Sequence, residues 1–169
     1  MKKLTLIRHA KSDWHTAANS DFERPLNQRG KKAAPLMGER LADRGCQPDL
    51  LISSPAKRAR QTAKRIAKQI GHPKGDIAYN QEIYEADLDT LIELIRELDD
   101  RYQDVMLFGH NPGFSELGEW LTPETPEWLP TCGLLELELP IEHWEQVEQD
   151  CATLLIYDYP KKKNRATPR

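Results

Sequence analysis

The dipeptide Arg8-His9 ends the first apolar run of the chain, Leu4-Thr5-Leu6-Ile7. Residues 3–10 therefore have the pattern of a buried strand that finishes in a guanidinium and an imidazole. Both groups cost free energy to bury unpaired, so packing alone gives no reason for them there. The pattern recurs twice. Leu50-Leu51-Ile52 runs into Ser53-Ser54-Pro55 and on to Arg58, and Val105-Met106-Leu107-Phe108 runs into Gly109-His110-Asn111-Pro112. In open α/β sheets, ligands bind outside the carboxyl ends of the strands. Three strand ends that deliver Arg8, His9, Arg58 and His110 predict one pocket for an anion, with phosphate the natural candidate. Each fragment alone says little, since an Arg-His pair is usually a surface accident. Their joint placement at strand-to-loop transitions carries the inference.

The elements that must position these groups alternate. Residues 11–29 form a long polar loop, and a loop of this length in a compact domain is more often functional than idle. Ala33, Leu36, Met37 and Leu41 predict a helix over 30–44, stopped by Gly45, with Pro35 tolerable only in about its first turn. A strand at 49–53 leads to a second helix, capped by Ser54 with Pro55 at its first position. Ala56, Ala59, Ala63, Ile66 and Ile70 form its buried stripe, and Arg58, Gln61 and Thr62 lie on another face. A short edge strand at 77–80, a helix around Leu88 to Leu98 and a strand at 104–109 follow. A helix then begins near Pro112. Leu135, Leu137 and Leu139 alternate with Glu136 and Glu138 as a half-buried strand, and the last strand is 152–157. Trp120, Trp128 and Trp144 are expected as packing residues. The alternation predicts an α/β fold with a mostly parallel sheet and helices on both faces.

Composition bounds the function classes. The chain has 169 residues, the size of one domain, and a net charge of −3 that gives no general attraction to nucleic acid or membrane. Cys46, Cys132 and Cys151 are far apart with no CxxC pair, which suits neither a disulfide framework nor a zinc site. Only four residues of apolar run follow Met1-Lys2-Lys3, too short for a signal peptide, so a cytoplasmic location is expected. Residues 1–160 are expected as one domain, and 161–169, with five basic residues and no apolar pattern, as a disordered tail.

Together the segments Arg8-His9-Ala10-Lys11-Ser12, Ser53-Ser54-Pro55-Ala56-Lys57-Arg58-Ala59-Arg60-Gln61-Thr62-Ala63 and Gly109-His110-Asn111-Pro112 resemble the histidine phosphatase superfamily, the phosphoglycerate-mutase-like phosphatases. The Arg-His-Ala-Lys-Ser start and the stretch DFERPLNQRG at 21–30 are similar to its short phosphohistidine phosphatase (SixA-type) branch. The resemblance implies a three-layer α/β fold. It implies His9 as a neutral nucleophile, with its second ring nitrogen held by an acceptor. Arg8 and Arg58 would grip phosphate oxygens as planar forks, and His110, protonated once a dianion binds, would donate to a third oxygen. The chain departs from the family at two places. Ala10 stands where the motif has glycine, and the asparagine of mutase-like members is replaced near His15, leaving Lys11 or Ser12 to make that contact. Glu82 and Glu85 fall where the superfamily often places a proton donor, although the local pattern fits surface carboxylates as well.

The expected activity is hydrolysis of phosphohistidine on a protein through a covalent phosphohistidine intermediate. Hydrolysis of small phosphate esters and a non-catalytic phospho-ligand module are the alternatives. No metal or cofactor is expected, because Arg8 would repel a cation beside His9. A monomer that binds neither nucleic acid nor membrane is expected.

Overall fold

A computed structural model describes residues 1–14 and 20–163. Six strands form one sheet: β1 (Lys2–Arg8), β2 (Leu50–Ser53), β3 (Ala78–Tyr79), β4 (Asp104–Gly109), β5 (Leu134–Leu139) and β6 (Thr153–Asp158). Their order is β3-β2-β4-β1-β5-β6. The pairs β1–β4, β2–β4 and β2–β3 are parallel, and the β1–β5 and β5–β6 pairs are antiparallel. Among the described residues four α-helices cover the sheet: α1 (Gln28–Asp43), α2 (Lys57–Ile70), α3 (Leu88–Arg96) and α4 (Gly113–Leu121). This is the mostly parallel three-layer architecture that the alternation predicts.

The central strands are apolar on both faces because helices cover both. Leu4, Leu6, Val105 and Leu107 pack with Leu91, Ile95, Phe114 and Leu117 of α3 and α4. Ile7, Met106 and Phe108 point the other way and pack with Met37 and Leu41 of α1 and Ile66 of α2. The parallel register brings the strand ends level, with Arg8 opposite Gly109 and Ser53 opposite Phe108. The ladder continues one step further through His9 N–H to the Gly109 carbonyl and Ser54 N–H to the Phe108 carbonyl, both at 3.0 Å. The sheet thereby fixes the backbone of both residues. Gly109 is needed at that level, because a Cβ there would lie 2.5 Å from the Phe114 ring.

Several local expectations are corrected. α1 starts at Gln28, with Asn27 as its cap: the Asn27 side chain accepts from Gly30 N–H at 2.9 Å. Pro35 lies well inside this helix, beyond its first turn. It leaves the carbonyl of exposed Lys31 without an intrahelical donor, a vacancy that water can fill. α2 begins at Lys57 with Ala56 as its cap, not directly after Ser54: the Ser54 hydroxyl accepts from Ala56 N–H at 3.2 Å and also meets His110 Nε2 at 2.8 Å. Glu136 does not face solvent but is buried beside Arg44, the residue at the C-terminal cap of α1, 3.1 Å away. The last strand is shifted by one residue and ends at Asp158, which pairs with buried Arg40 at 3.0 Å. Trp144 is buried and Trp120 partly so, whereas Trp128 is 56% exposed. Within the basic segment, Lys162 donates to the Tyr157 carbonyl at 2.7 Å, tying it to β6, and residues 164–169 lie outside the described residues. Among the described residues no helix is long and apolar enough to cross a membrane.

The Asn27 cap yields a stability prediction. Asn27→Ala is expected to lower unfolding free energy by about 1 kcal/mol, read from denaturant midpoints, because Gly30 N–H loses its acceptor. A loss below a few tenths of that size would mean water caps the helix equally well.

Candidate active site

Arg8, His9, Arg58 and His110 line one cleft of about 680 Å³, together with Lys11 and Ser12. His9 is 6% exposed, and its backbone is pinned on both sides, since its carbonyl accepts from Cys132 N–H at 3.0 Å. His9 Nδ1 lies 2.7 Å from the Ala10 carbonyl oxygen, which can only accept. That contact assigns the proton to Nδ1 and leaves a lone pair on Nε2. Arg58 Nε–H points at this lone pair from 3.4 Å. Ala10 has no left-handed backbone and its methyl is buried in the α1/α2 core, so alanine fits where the family motif has glycine. Ala10 N–H donates to Thr62 Oγ1 at 2.9 Å, and that hydroxyl donates to the Arg58 carbonyl at 2.8 Å. One threonine thus ties the loop after β1 to the first turn of α2.

The remaining groups close around the same point. His110 Nε2 is 2.8 Å from Ser54 Oγ, its ring centroid is 5.2 Å from that of His9, and its buried Nδ1 has no hydrogen-bond partner. Arg8 Nη1 donates to the Leu129 carbonyl at 3.1 Å, its guanidinium lies 5.6 Å from the Trp128 ring centroid, and its buried Nε is unpartnered. A buried guanidinium nitrogen and a buried imidazole nitrogen left open beside one cleft are donors and acceptors for a ligand.

Asp21, Arg24 and Tyr84 join the site, although no pattern in the sequence assigns them a role there. Arg58 Nη1 donates to the Asp21 carbonyl at 2.8 Å and Nη2 to its carboxylate at 3.1 Å. The same carboxylate accepts from Tyr84 OH at 2.7 Å and Arg24 Nε at 3.0 Å. Arg24 Nη1 also donates to Ser12 Oγ, and its guanidinium stacks 3.5 Å above the centroid of exposed Trp14. Ser12 therefore holds Arg24. Lys11 is exposed on the cleft lining. Glu82 and Glu85 are exposed and absent from the cleft lining, which takes its carboxylates from Asp13 and Asp21. His15 lies outside the described residues.

Electrostatics follow from this packing. Burial first, then His110, Arg58 and Arg8, hold the His9 pKa well below the ordinary imidazole value, against a smaller opposing effect of the Ala10 carbonyl. Burial, Arg58, Arg8 and Arg24 depress His110 to about 3, although Asp21 pulls the other way. Partial burial works against ionising Asp21, but the Tyr84 hydroxyl, Arg58 and Arg24 outweigh it and bring its pKa to about 2. The cleft lining carries five cations, Arg8, Lys11, Arg24, Lys31 and Arg58, against two carboxylates. A neutral imidazole with its lone pair beside guanidinium donors can attack a tetrahedral anion whose charge those donors hold. Among the described residues no group of three or more His, Cys, Asp or Glu could hold a metal ion.

Comparison with known proteins decides the lineage. The sequence model of the histidine phosphatase superfamily (branch 1) matches residues 4–119. The chain belongs to the histidine phosphatase superfamily. Within it, an uncharacterized protein of Mycobacterium tuberculosis is 32% identical over 165 residues, covering 92% of this chain and 100% of that one. The crystal structure of SixA from Agrobacterium tumefaciens, a proposed phosphohistidine phosphatase, has 33% identity. It superposes with a TM-score of 0.79 over 94% of this chain and 98% of its own. A protein histidine phosphatase SixA complexed with tungstate shares the fold at a TM-score of 0.79 and 22% identity, over 94% of this chain and 97% of that one. Asp21 and Arg24 lie within the DFERPLNQRG stretch, which marks the loop in the sequence without giving either residue a role. Tyr84 carried no sequence signal.

Proposed function

We propose that this histidine phosphatase is a metal-independent phosphohydrolase that removes phosphate from phosphohistidine on a protein, with His9 carrying the phosphoryl group. The observation that carries the reading is the pair His9–Arg58, an imidazole kept neutral with its Nε2 lone pair facing a guanidinium N–H. Nε2 attacks phosphorus, and Arg8, Arg58 and His110 take the charge of the three equatorial oxygens. The choice of leaving group rests on Asp21. Held ionised, it has no proton to give an alkoxide. An imidazole leaves more readily without one. The likeness to the A. tumefaciens protein points the same way. Exposed Trp14 and Lys31 lining the cleft suit a substrate displayed on a macromolecule.

Phosphate release from a phosphohistidine-bearing protein, compared with a panel of small alkyl phosphates, tests the substrate. A higher kcat/KM on the protein is expected. Equal or better turnover of a small ester makes the protein a phosphomonoesterase, and no release from any substrate makes it a binding module. Glu82→Gln and Glu85→Gln are expected to leave phosphohistidine hydrolysis unchanged, since both residues lie outside the cleft lining. A large loss in either would reveal a dedicated acid. Activity is also expected to survive exhaustive EDTA treatment, because guanidinium groups already hold the charge that a metal would offset. Loss on chelation with recovery on a divalent ion would overturn this.

A further inference from the structure

The Asp21 carboxylate is an unusual occupant of an anion site. Its two oxygens offer about four lone-pair directions. Arg58 Nη2, Tyr84 OH and Arg24 Nε use three of them, and the side chain remains 48% exposed on the cleft lining. Arg58 links the two halves of the site, reaching His9 Nε2 with Nε and the Asp21 carboxylate with Nη2. In-line attack by His9 puts the leaving group on the far side of phosphorus, away from the buried imidazole and towards solvent. Asp21 is held by the same guanidinium that meets the attacking nitrogen, on the lining of the same cleft, and for a phosphate ester this fixed anion is a repulsive neighbour. For a leaving group that bears an N–H, it is an acceptor.

We propose that Asp21 takes the ring N–H of the substrate's phosphorylated imidazole, so that this ring departs neutral without an acid on the enzyme. The proposal rests on the phosphohistidine reading above and names the residue that would enforce it. The substrate ring carries the phosphoryl group on one nitrogen and a proton on the other. The His9 Nε2 lone pair forms the new N–P bond, the substrate N–P bond breaks, and its electron pair stays on the departing nitrogen. The proton on the far nitrogen stays in place, so the product is a neutral imidazole. His9 becomes the phosphorylated ring and keeps its own Nδ1 proton on the Ala10 carbonyl. The transfer is then between two like imidazoles, each anchored at its far nitrogen by an acceptor. The charged and titratable groups around Asp21 are Arg24, Arg58, Tyr84 and His110, with Glu85 reaching it through Tyr84.

The test is the ratio of kcat/KM for a phosphohistidine protein to that for p-nitrophenyl phosphate, whose leaving group has no N–H. Asp21→Asn and Asp21→Ala are each expected to lower this ratio by about 10²-fold, the order found for removing one charge-stabilising group. Any disturbance of Arg58 by these changes acts on both substrates and cancels in the ratio. Competitive inhibition by inorganic phosphate in both variants reports that the anion site is still formed. The alkaline limb of kcat/KM on phosphohistidine should also move to lower pH, because nothing then holds the substrate's ring proton. An equal loss on both substrates, or an unchanged ratio, overturns the role of Asp21 and leaves the phosphohistidine reading standing. Wild-type protein that hydrolyses p-nitrophenyl phosphate but not phosphohistidine overturns both.

Discussion

His9→Ala is expected to reduce turnover by at least about 10⁴-fold, on the scale of nucleophile removal in other covalent enzymes. Brief incubation of the wild type with labelled substrate, quenched without acid, should leave an acid-labile, alkali-stable label on His9, and the variant should carry none. The expectation follows from one lone pair. The Ala10 carbonyl fixes the proton on Nδ1, and the ring is 6% exposed with Nε2 facing Arg58. Burial and the surrounding cations keep this ring neutral, so it stays a nucleophile at pH values where an ordinary histidine is charged. Ring nitrogen shifts in NMR should accordingly show neutral His110 at pH 5 and His9 titrating below an ordinary histidine. The same depression has a cost in stability. Below about pH 6.5 the unfolded chain binds protons on these two rings that the folded chain refuses, so folding free energy falls as pH drops towards the depressed values. A His9→Ala protein that keeps a tenth of its turnover, or keeps the label, would move the covalent step to another residue.

The groups legible in the sequence are those placed by the sheet. Arg8, His9 and His110 sit at the ends of apolar runs, and parallel pairing of Arg8 with Gly109 needs no information beyond those runs to bring them level. Arg58 follows from the helix that begins after β2. The groups that could not be read depend on contacts between distant segments. Asp21 meets Arg58 across 37 positions and Tyr84 across 63. Nothing local marks either contact, and the polar stretch showed only that the loop had work to do. Where local propensity misled, a tertiary partner had outbid it. Ser54 is a good helix cap by type, yet its hydroxyl is shared between Ala56 N–H and His110, and α2 starts later. Glu136 follows the period-two pattern of a strand with one wet face, but it is buried there with Arg44, at the C-terminal cap of α1, as its partner. Glu82 and Glu85 were candidates by position along the chain, and the turn that carries them leaves both exposed.

Arg58→Ala should lower kcat/KM by about 10²–10³-fold, the usual cost of removing one preorganised donor from a developing charge. Arg58→Lys should recover little of it. The guanidinium reaches His9 with Nε and Asp21 with both Nη atoms, three directions in one plane that a single ammonium cannot cover. The two variants should differ in pH dependence. Arg58 is among the cations that depress His9 and His110, so its loss raises both pKa values and brings protonation of the nucleophile closer to neutral pH. The Arg58→Ala defect should therefore deepen as pH falls from 7 to 5, whereas Arg58→Lys, with a positive charge nearby, should show a constant deficit. Measuring kcat/KM for both variants across that range separates the fork from the charge. Full recovery in Arg58→Lys would show that only the charge matters, and the planar contact with His9 and Asp21 would have no part in turnover.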